Sequence, residues 1–95
     1  MWARVTTVVM EVSRAQEAKA HIDEKIIPAL KGMDGFQAAY WMLDDASGKA
    51  LNVALWADEE AVRASDEQVA ALRKTAQAVG ARVESIDVYR VTNQA

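Results

Sequence analysis

The chain contains no cysteine. That excludes disulfides, thiolate nucleophiles, zinc ribbons and iron–sulfur clusters together, and it suits a reducing compartment. A single histidine, His21, is present, which excludes a histidine cluster and most catalytic metal sites. The eleven Lys and Arg residues are scattered and the net charge is −3. No clustered basic face exists to track phosphates, so no nucleic-acid partner is expected. No apolar run approaches the length that crosses a bilayer, so no membrane partner is expected. The opening Met1-Trp2-Ala3-Arg4-Val5 lacks the basic-then-apolar order of a signal peptide, and the expected location is the cytoplasm. Internal repeats, low-complexity tracts, glycine-rich phosphate loops, nucleophile elbows and metal motifs are all missing. No cofactor and no metal site is therefore expected.

What is present is apolar: 52% of the 95 residues are hydrophobic, too many for a disordered segment. The length suits one small domain over residues 1–95. Such a domain buries only about 60–65% of its unfolded surface and is marginal unless it associates. Residues 2–11 are rich in β-branched types and predict a strand. Ser13, with Gln16 three positions on, predicts an N-cap for a helix from Arg14 to Lys31. Its apolar stripe is Ala15, Ala18, Ile22, Ile26, Ala29 and Leu30. Pro28 inside it predicts a kink or a loosened last turn, and Gly32 a left-handed stop. Residues 35–44 and 49–56 predict a hairpin about the turn Asp44–Gly48. Asp58 predicts a cap for a helix over 59–64. Ser65 with Gln68 predicts a break and a restart over 66–79, ended by Gly80. Residues 82–91 predict the last strand. The order β-α-β-β-α-β predicts an α+β, ferredoxin-like domain, a four-stranded antiparallel sheet with both helices on one face.

Alternate residues of a strand point to opposite sides. Phe36, Ala38, Tyr40 and Met42 oppose Gln37, Ala39, Trp41 and Leu43. Asn52, Ala54 and Trp56 oppose Leu51, Val53 and Leu55, and the first strand divides the same way. Neither side is clearly polar, whereas a half-solvated antiparallel sheet alternates cleanly. Two helices cover one face only, and the other would be an apolar patch larger than monomers usually carry. The expected partner is a second copy of the chain, in a homodimer joined through the sheets.

The pattern Met33-Asp34-Gly35-Phe36…Ala39-Tyr40…Asp44…Ser47-Gly48-Lys49…Leu55-Trp56…Glu59-Glu60-Ala61…Ala64-Ser65 resembles the antibiotic-biosynthesis-monooxygenase (ABM) type of dimeric α+β barrel, over almost the whole chain. The resemblance implies a cavity between sheet and helices that takes an aromatic or polyketide-like small molecule. It also implies cofactor-independent monooxygenation, in which the bound substrate's own anion reduces dioxygen. The alternative is a non-catalytic dimeric ligand-binding or structural protein, because the fold hosts both. Haem-degrading relatives use a His on the second helix and an Asn on the first strand. Here that helix reads DEQVAALRKTAQAV and the strand has Thr6 and Thr7, which speaks against haem degradation.

Asn52 and Trp56 are the leading candidates for catalysis and substrate binding. Four apart on a strand, they share a face about 13 Å from one another, with only Ala54 between. That arrangement makes a slot for a flat ligand, Trp56 as its wall and Asn52 as a group that both donates and accepts. Trp56 reads more readily as core, since large aromatics dominate small cores. Asn52 reads equally as a group satisfying the backbone. His21 is the candidate proton carrier at the pocket mouth, or a surface residue at the boundary of its helix faces. Tyr40 is the candidate third binding residue if the hairpin pairs symmetrically about its turn. Arg73 or Arg82 could supply a cation, though neither sits at a motif position. Adjacent acids at 44–45 and 59–60 fit a turn and a helix dipole better than a catalytic pair.

Overall fold

The computed structural model describes residues 1–95. Four strands form one antiparallel sheet: β1 (Trp2–Met10), β2 (Phe36–Leu43), β3 (Lys49–Trp56) and β4 (Ala81–Arg90). Their spatial order is β2-β3-β1-β4, the ferredoxin-like arrangement expected for two crossover helices around a central hairpin. Between β1 and β2 runs a rod built of a 3₁₀ turn (Val12–Arg14), an α-helix α1 (Ala15–His21), a π-helical turn (Ile22–Ile26) and a second α-helix α2 (Ile27–Lys31). Helix α3 (Glu59–Gln77) joins β3 to β4.

The rod bears out the irregularity expected at Pro28 and gives it a form. Proline lacks the N–H that would bond the Glu24 carbonyl, and its ring crowds that oxygen. The chain answers by widening: the Ile27 N–H reaches back five residues to the Ile22 carbonyl, the bond of a π turn. Ser13 does not cap. It lies inside the 3₁₀ turn, and no side chain caps either segment. Arg14 fixes the start instead, donating to Glu17 at 2.9 and 3.0 Å and to the Ala78 carbonyl at 2.7 Å. Gly32 stays right-handed at φ −85°. The left-handed glycines are Gly35, Gly48 and Gly80, which close the loop before β2, the hairpin and the end of α3.

Helix α3 is continuous, contrary to the break expected at Ser65. The Ser65 hydroxyl donates back to the Val62 carbonyl at 2.7 Å, so it bonds within the turn and caps nothing. Asp58 does cap, accepting from the Ala61 N–H at 2.8 Å.

Cross-strand register settles the faces. Trp2 lies opposite Trp56, Arg4 opposite Ala54 and Thr6 opposite Asn52. Ala39 lies opposite Ala54 and Trp41 opposite Asn52. A bulge between Phe36 and Ala38 puts Phe36 opposite Trp56, moving it onto the face of Ala39 and Trp41 rather than that of Tyr40. Both helical layers cover this face. Its core is Ile26, Leu30, Trp56 and Val62, with Trp56 wholly buried and Phe36 edge-on to its ring at 5.4 Å. The opposite face bears no helix. Across it run Ala3–Leu55–Ala38, Val5–Val53–Tyr40 and Thr7–Leu51–Met42, an apolar surface on which Tyr40 is 58% exposed and Met42 47%.

Candidate functional site

The core fills one end of the space between sheet and helices. Beyond it the layers are lined by short side chains: Ala15, Ala18 and Ala76 on the helices, Ala50 and Ala54 on β3. Short side chains leave the gap unfilled, and a mostly apolar cavity of about 900 Å³ results. That lies within the range of small-molecule sites, where a few polar groups set into apolar walls fix a ligand's orientation.

Asn52 is one of those polar groups. Its side chain projects from mid-sheet between Thr6 and Trp41, borders the cavity and makes no hydrogen bond within the protein. Being neither bonded nor sealed off, its amide keeps a donor and an acceptor for a ligand. His21 stands on the helical side of the same cavity. Its Nε2 lies 2.8 Å from the Thr75 hydroxyl, which spends its only proton on the Leu72 carbonyl at 2.6 Å. Nε2 must therefore donate, so the neutral ring carries its proton there and Nδ1 is left as the free acceptor. This contact links α1 to α3.

Trp56 does not border the cavity. It lies in the core with zero exposure, its indole N–H unpartnered and the Arg4 guanidinium 5.6 Å from its ring centre. Tyr40 does border the cavity. Its Cβ leaves from the helix-free face, opposite Val53. The register makes Trp41 the neighbour of Asn52, because pairing through the hairpin turn is offset by one from the symmetric arrangement. The structure thus brings Asn52, His21 and Tyr40 to the border of one cavity and leaves Trp56 outside it.

Two cavity cations complete the site, and one went unnoticed in the sequence. Arg4 projects from β1 on the same face as Thr6 and Val8 and is 3% exposed. Its Nη2 donates to the Val62 carbonyl at 2.9 Å and the Ser65 hydroxyl at 3.1 Å, and pairs with Asp66. A charge at the in-facing parity of an apolar strand is the signal that could have found it. Arg73, on α3, also borders the cavity. Burial holds its guanidinium below the usual arginine value; the nearby Arg4 charge adds to the drop and Asp66 partly opposes it. Arg82 is outside, on β4, 3.6 Å from Glu84. No three His, Asp or Glu side chains gather into a metal-binding group, and no helix is long and apolar enough to cross a membrane.

Solved structures match this architecture along its full length. SnoaB, a cofactor-independent oxygenase from Streptomyces nogalater, aligns with a TM-score of 0.73 at 16% identity, over 98% of this chain and 94% of its own. The chain has the ABM fold. A monooxygenase from the gene ActVA-Orf6 of Streptomyces coelicolor, in complex with nanaomycin D, shares the ABM fold at TM-score 0.73 and 16% identity, covering 99% and 88% of the two chains. So does the haem degrader MhuD of Mycobacterium tuberculosis, at TM-score 0.76 and 15% identity over 100% and 99%. No family model matches the sequence. Two uncharacterized proteins of M. tuberculosis H37Rv, Rv2557 and Rv2558, are 34% identical over 73 and 91 residues, or 77% and 93% of this chain. The chain spans only 33% and 39% of their lengths. Within the ABM fold, the cavity between sheet and helices is where Asn52, His21 and the two arginines meet.

Proposed function

We propose that the chain binds a flat aromatic or polyketide-like molecule in the cavity between sheet and helices, and that it acts on this molecule as a cofactor-independent monooxygenase. The observation that carries the reading is the cavity of about 900 Å³ with a free amide, that of Asn52, on its floor. In this chemistry the protein's part is to orient the ligand, exclude water and stabilise the anion that forms. Asn52 would hold the ligand's oxygen by its amide. His21 would take a proton through Nδ1, the nitrogen that Thr75 leaves free. Trp56 would act at one remove, as the packed block against which the cavity's end is built. SnoaB is a cofactor-independent oxygenase, which favours this chemistry over others the fold can host.

The test is oxygen uptake with a hydroxylated anthrone as substrate, in air, without added metal or flavin. Wild type should consume oxygen and bind the anthrone, and Asn52→Ala should lose most of the turnover. Binding without oxygen uptake would favour the second reading, a non-catalytic ligand-binding protein. That reading has its own support, because the tryptophan expected to touch the ligand is wholly buried. Failure of the anthrone to bind at all would remove both readings.

The same proposal includes a homodimer. The helix-free face is apolar across three strands, and a second copy brings a matching surface in a self-complementary pairing. Val53→Asp, at the centre of that face, should convert a dimer into a monomer in sedimentation velocity. A wild-type chain that sediments as a monomer at micromolar concentration would end the idea. A cytoplasmic setting suits a chain with no cysteine.

A further inference from the structure

The polar groups of the cavity are unequal in charge. Lys19 and Asp23 on its outer rim neutralise one another at 2.7 Å, and Asp45 belongs to the exposed hairpin turn. Two guanidinium groups, Arg4 and Arg73, border the cavity, whereas Asp66, the carboxylate that Arg4 pairs with, is 62% exposed and lies outside its lining. Arg73 makes no hydrogen bond and no ion pair with any protein group. Its Nη1 is shut off from water as well as unpartnered, as is Nη1 of Arg4. Its Nε and Nη2 edge is likewise without a protein partner. A guanidinium half-buried in apolar surroundings and lacking a counter-ion is costly to the fold. A planar carboxylate relieves that cost, because it accepts two parallel N–H bonds from the guanidinium fork.

We propose that the cavity selects an aromatic carboxylate, with the acid group seated on Arg73 beside Arg4 and the ring system lying over Ala54 and Ala50 toward Asn52. This rests on the reading that the cavity binds a flat aromatic molecule, and narrows it to anionic members of the class. Arg73 reports on the charge of the ligand and Asn52 on its neutral oxygens, so the two ends of the slot recognise different groups. The arrangement also accounts for the uneven use of Arg4, whose Nη2 is fully committed to Val62, Ser65 and Asp66. Arg4 is fixed in place as background charge, while Arg73 is left uncommitted.

The test compares two probes of one shape, 2-naphthoate and the uncharged 2-naphthamide, by calorimetric titration and tryptophan fluorescence. The wild-type protein should bind the acid about tenfold or more tightly than the amide, the scale of a charge-assisted bidentate contact. Arg73→Gln should abolish that preference and leave amide binding unchanged, while Arg73→Lys should keep part of it. Thermal melting of Arg73→Gln should be unchanged or raised, since an unpaired charge has been removed. Ala50→Phe, which fills the cavity, should weaken both probes. Equal binding of acid and amide by wild type, or an acid preference that survives in Arg73→Gln, overturns the carboxylate proposal and leaves aromatic binding standing. Binding of neither probe, or indifference of both to Ala50→Phe, overturns the aromatic reading itself and this proposal with it.

Discussion

Replacing Trp56 separates its two roles by magnitude. The side chain is wholly buried, meets Phe36 edge-on at 5.4 Å and carries the Arg4 cation at 5.6 Å from its ring centre. Trp56→Ala removes all of this, and large-to-small changes of this kind cost about 3–5 kcal/mol. The aromatic pair and the cation–π contact are worth on the order of 0.5–1.5 kcal/mol and 0.5–2 kcal/mol. Against a total stability of about 5–15 kcal/mol for a domain, the alanine variant sits near the limit of folding. Trp56→Phe behaves differently. It keeps a ring for both neighbours and leaves a smaller void. It also deletes the indole N–H that has no partner, a buried donor that costs about 1–3 kcal/mol while unsatisfied. Loss and relief offset each other, so Trp56→Phe should change stability by less than about 1.5 kcal/mol. Urea unfolding followed by circular dichroism measures both variants, with the slope m checked for constancy. Aromatic-probe binding by the phenylalanine variant should match wild type, because Trp56 does not border the cavity. A loss above about 3 kcal/mol in Trp56→Phe would refute the offset argument and show that the indole N–H is satisfied in solution. A binding defect at unchanged stability would refute the core assignment.

Glycine changes should split by backbone angle. Gly35 has φ +79°, and an added Cβ would lie 2.5 Å from the Cβ of Ala61. Gly35→Ala should therefore lose about 2–5 kcal/mol in urea unfolding. Gly32 has φ −85° with its nearest neighbour 3.6 Å from an added Cβ, so Gly32→Ala should be neutral or stabilising by up to about 1 kcal/mol. The Asp44 carboxyl is held below its ordinary 3.8 by the Ser47 hydroxyl and then by the Ala46 N–H. A lowered carboxylate stabilises the folded state above the unfolded value, and that contribution fades as pH falls through the folded value. Ser47→Ala should move the Asp44 titration upward toward 3.8 in carboxyl-resolved NMR. An unmoved titration would contradict the assigned cause.

The strands and their order were legible because the apolar runs are short, β-branched and separated by polar or helical stretches. The doubly apolar sheet was legible from parity alone, and the helix-free rows through Val53 and Leu51 have that composition. Several local signals misled for physical reasons. Ser65 carries the spacing of a cap, yet a mid-helix serine can bond back to its own turn, as it does to Val62. Gly32 lies at the end of a helical pattern, yet the chain delays its left-handed step to Gly35, where Ala61 comes too close for any side chain. Symmetric pairing about the turn would set Tyr40 beside Asn52, yet the offset register puts Trp41 there, while Tyr40 still borders the cavity. In the site, Asn52 and His21 were legible as polar residues on elements that flank a gap. Arg4 was not, because nothing in a list of scattered basic residues distinguishes the one that points inward until strand parity is read together with the burial of its neighbours.

The wide turn at Ile22–Ile26 sets the phase of everything before it in the rod. An α-helix advances about 100° per residue, and a π turn takes up extra chain in one loop. The N-terminal half is thereby swivelled relative to an even spiral, and His21 comes to rest against Thr75. The aim of the imidazole is therefore written in a proline seven positions further along. Removing Glu24 or Lys25, neither of which lines the cavity, would shift that phase and swing the ring off α3 with every side-chain identity at the cavity preserved.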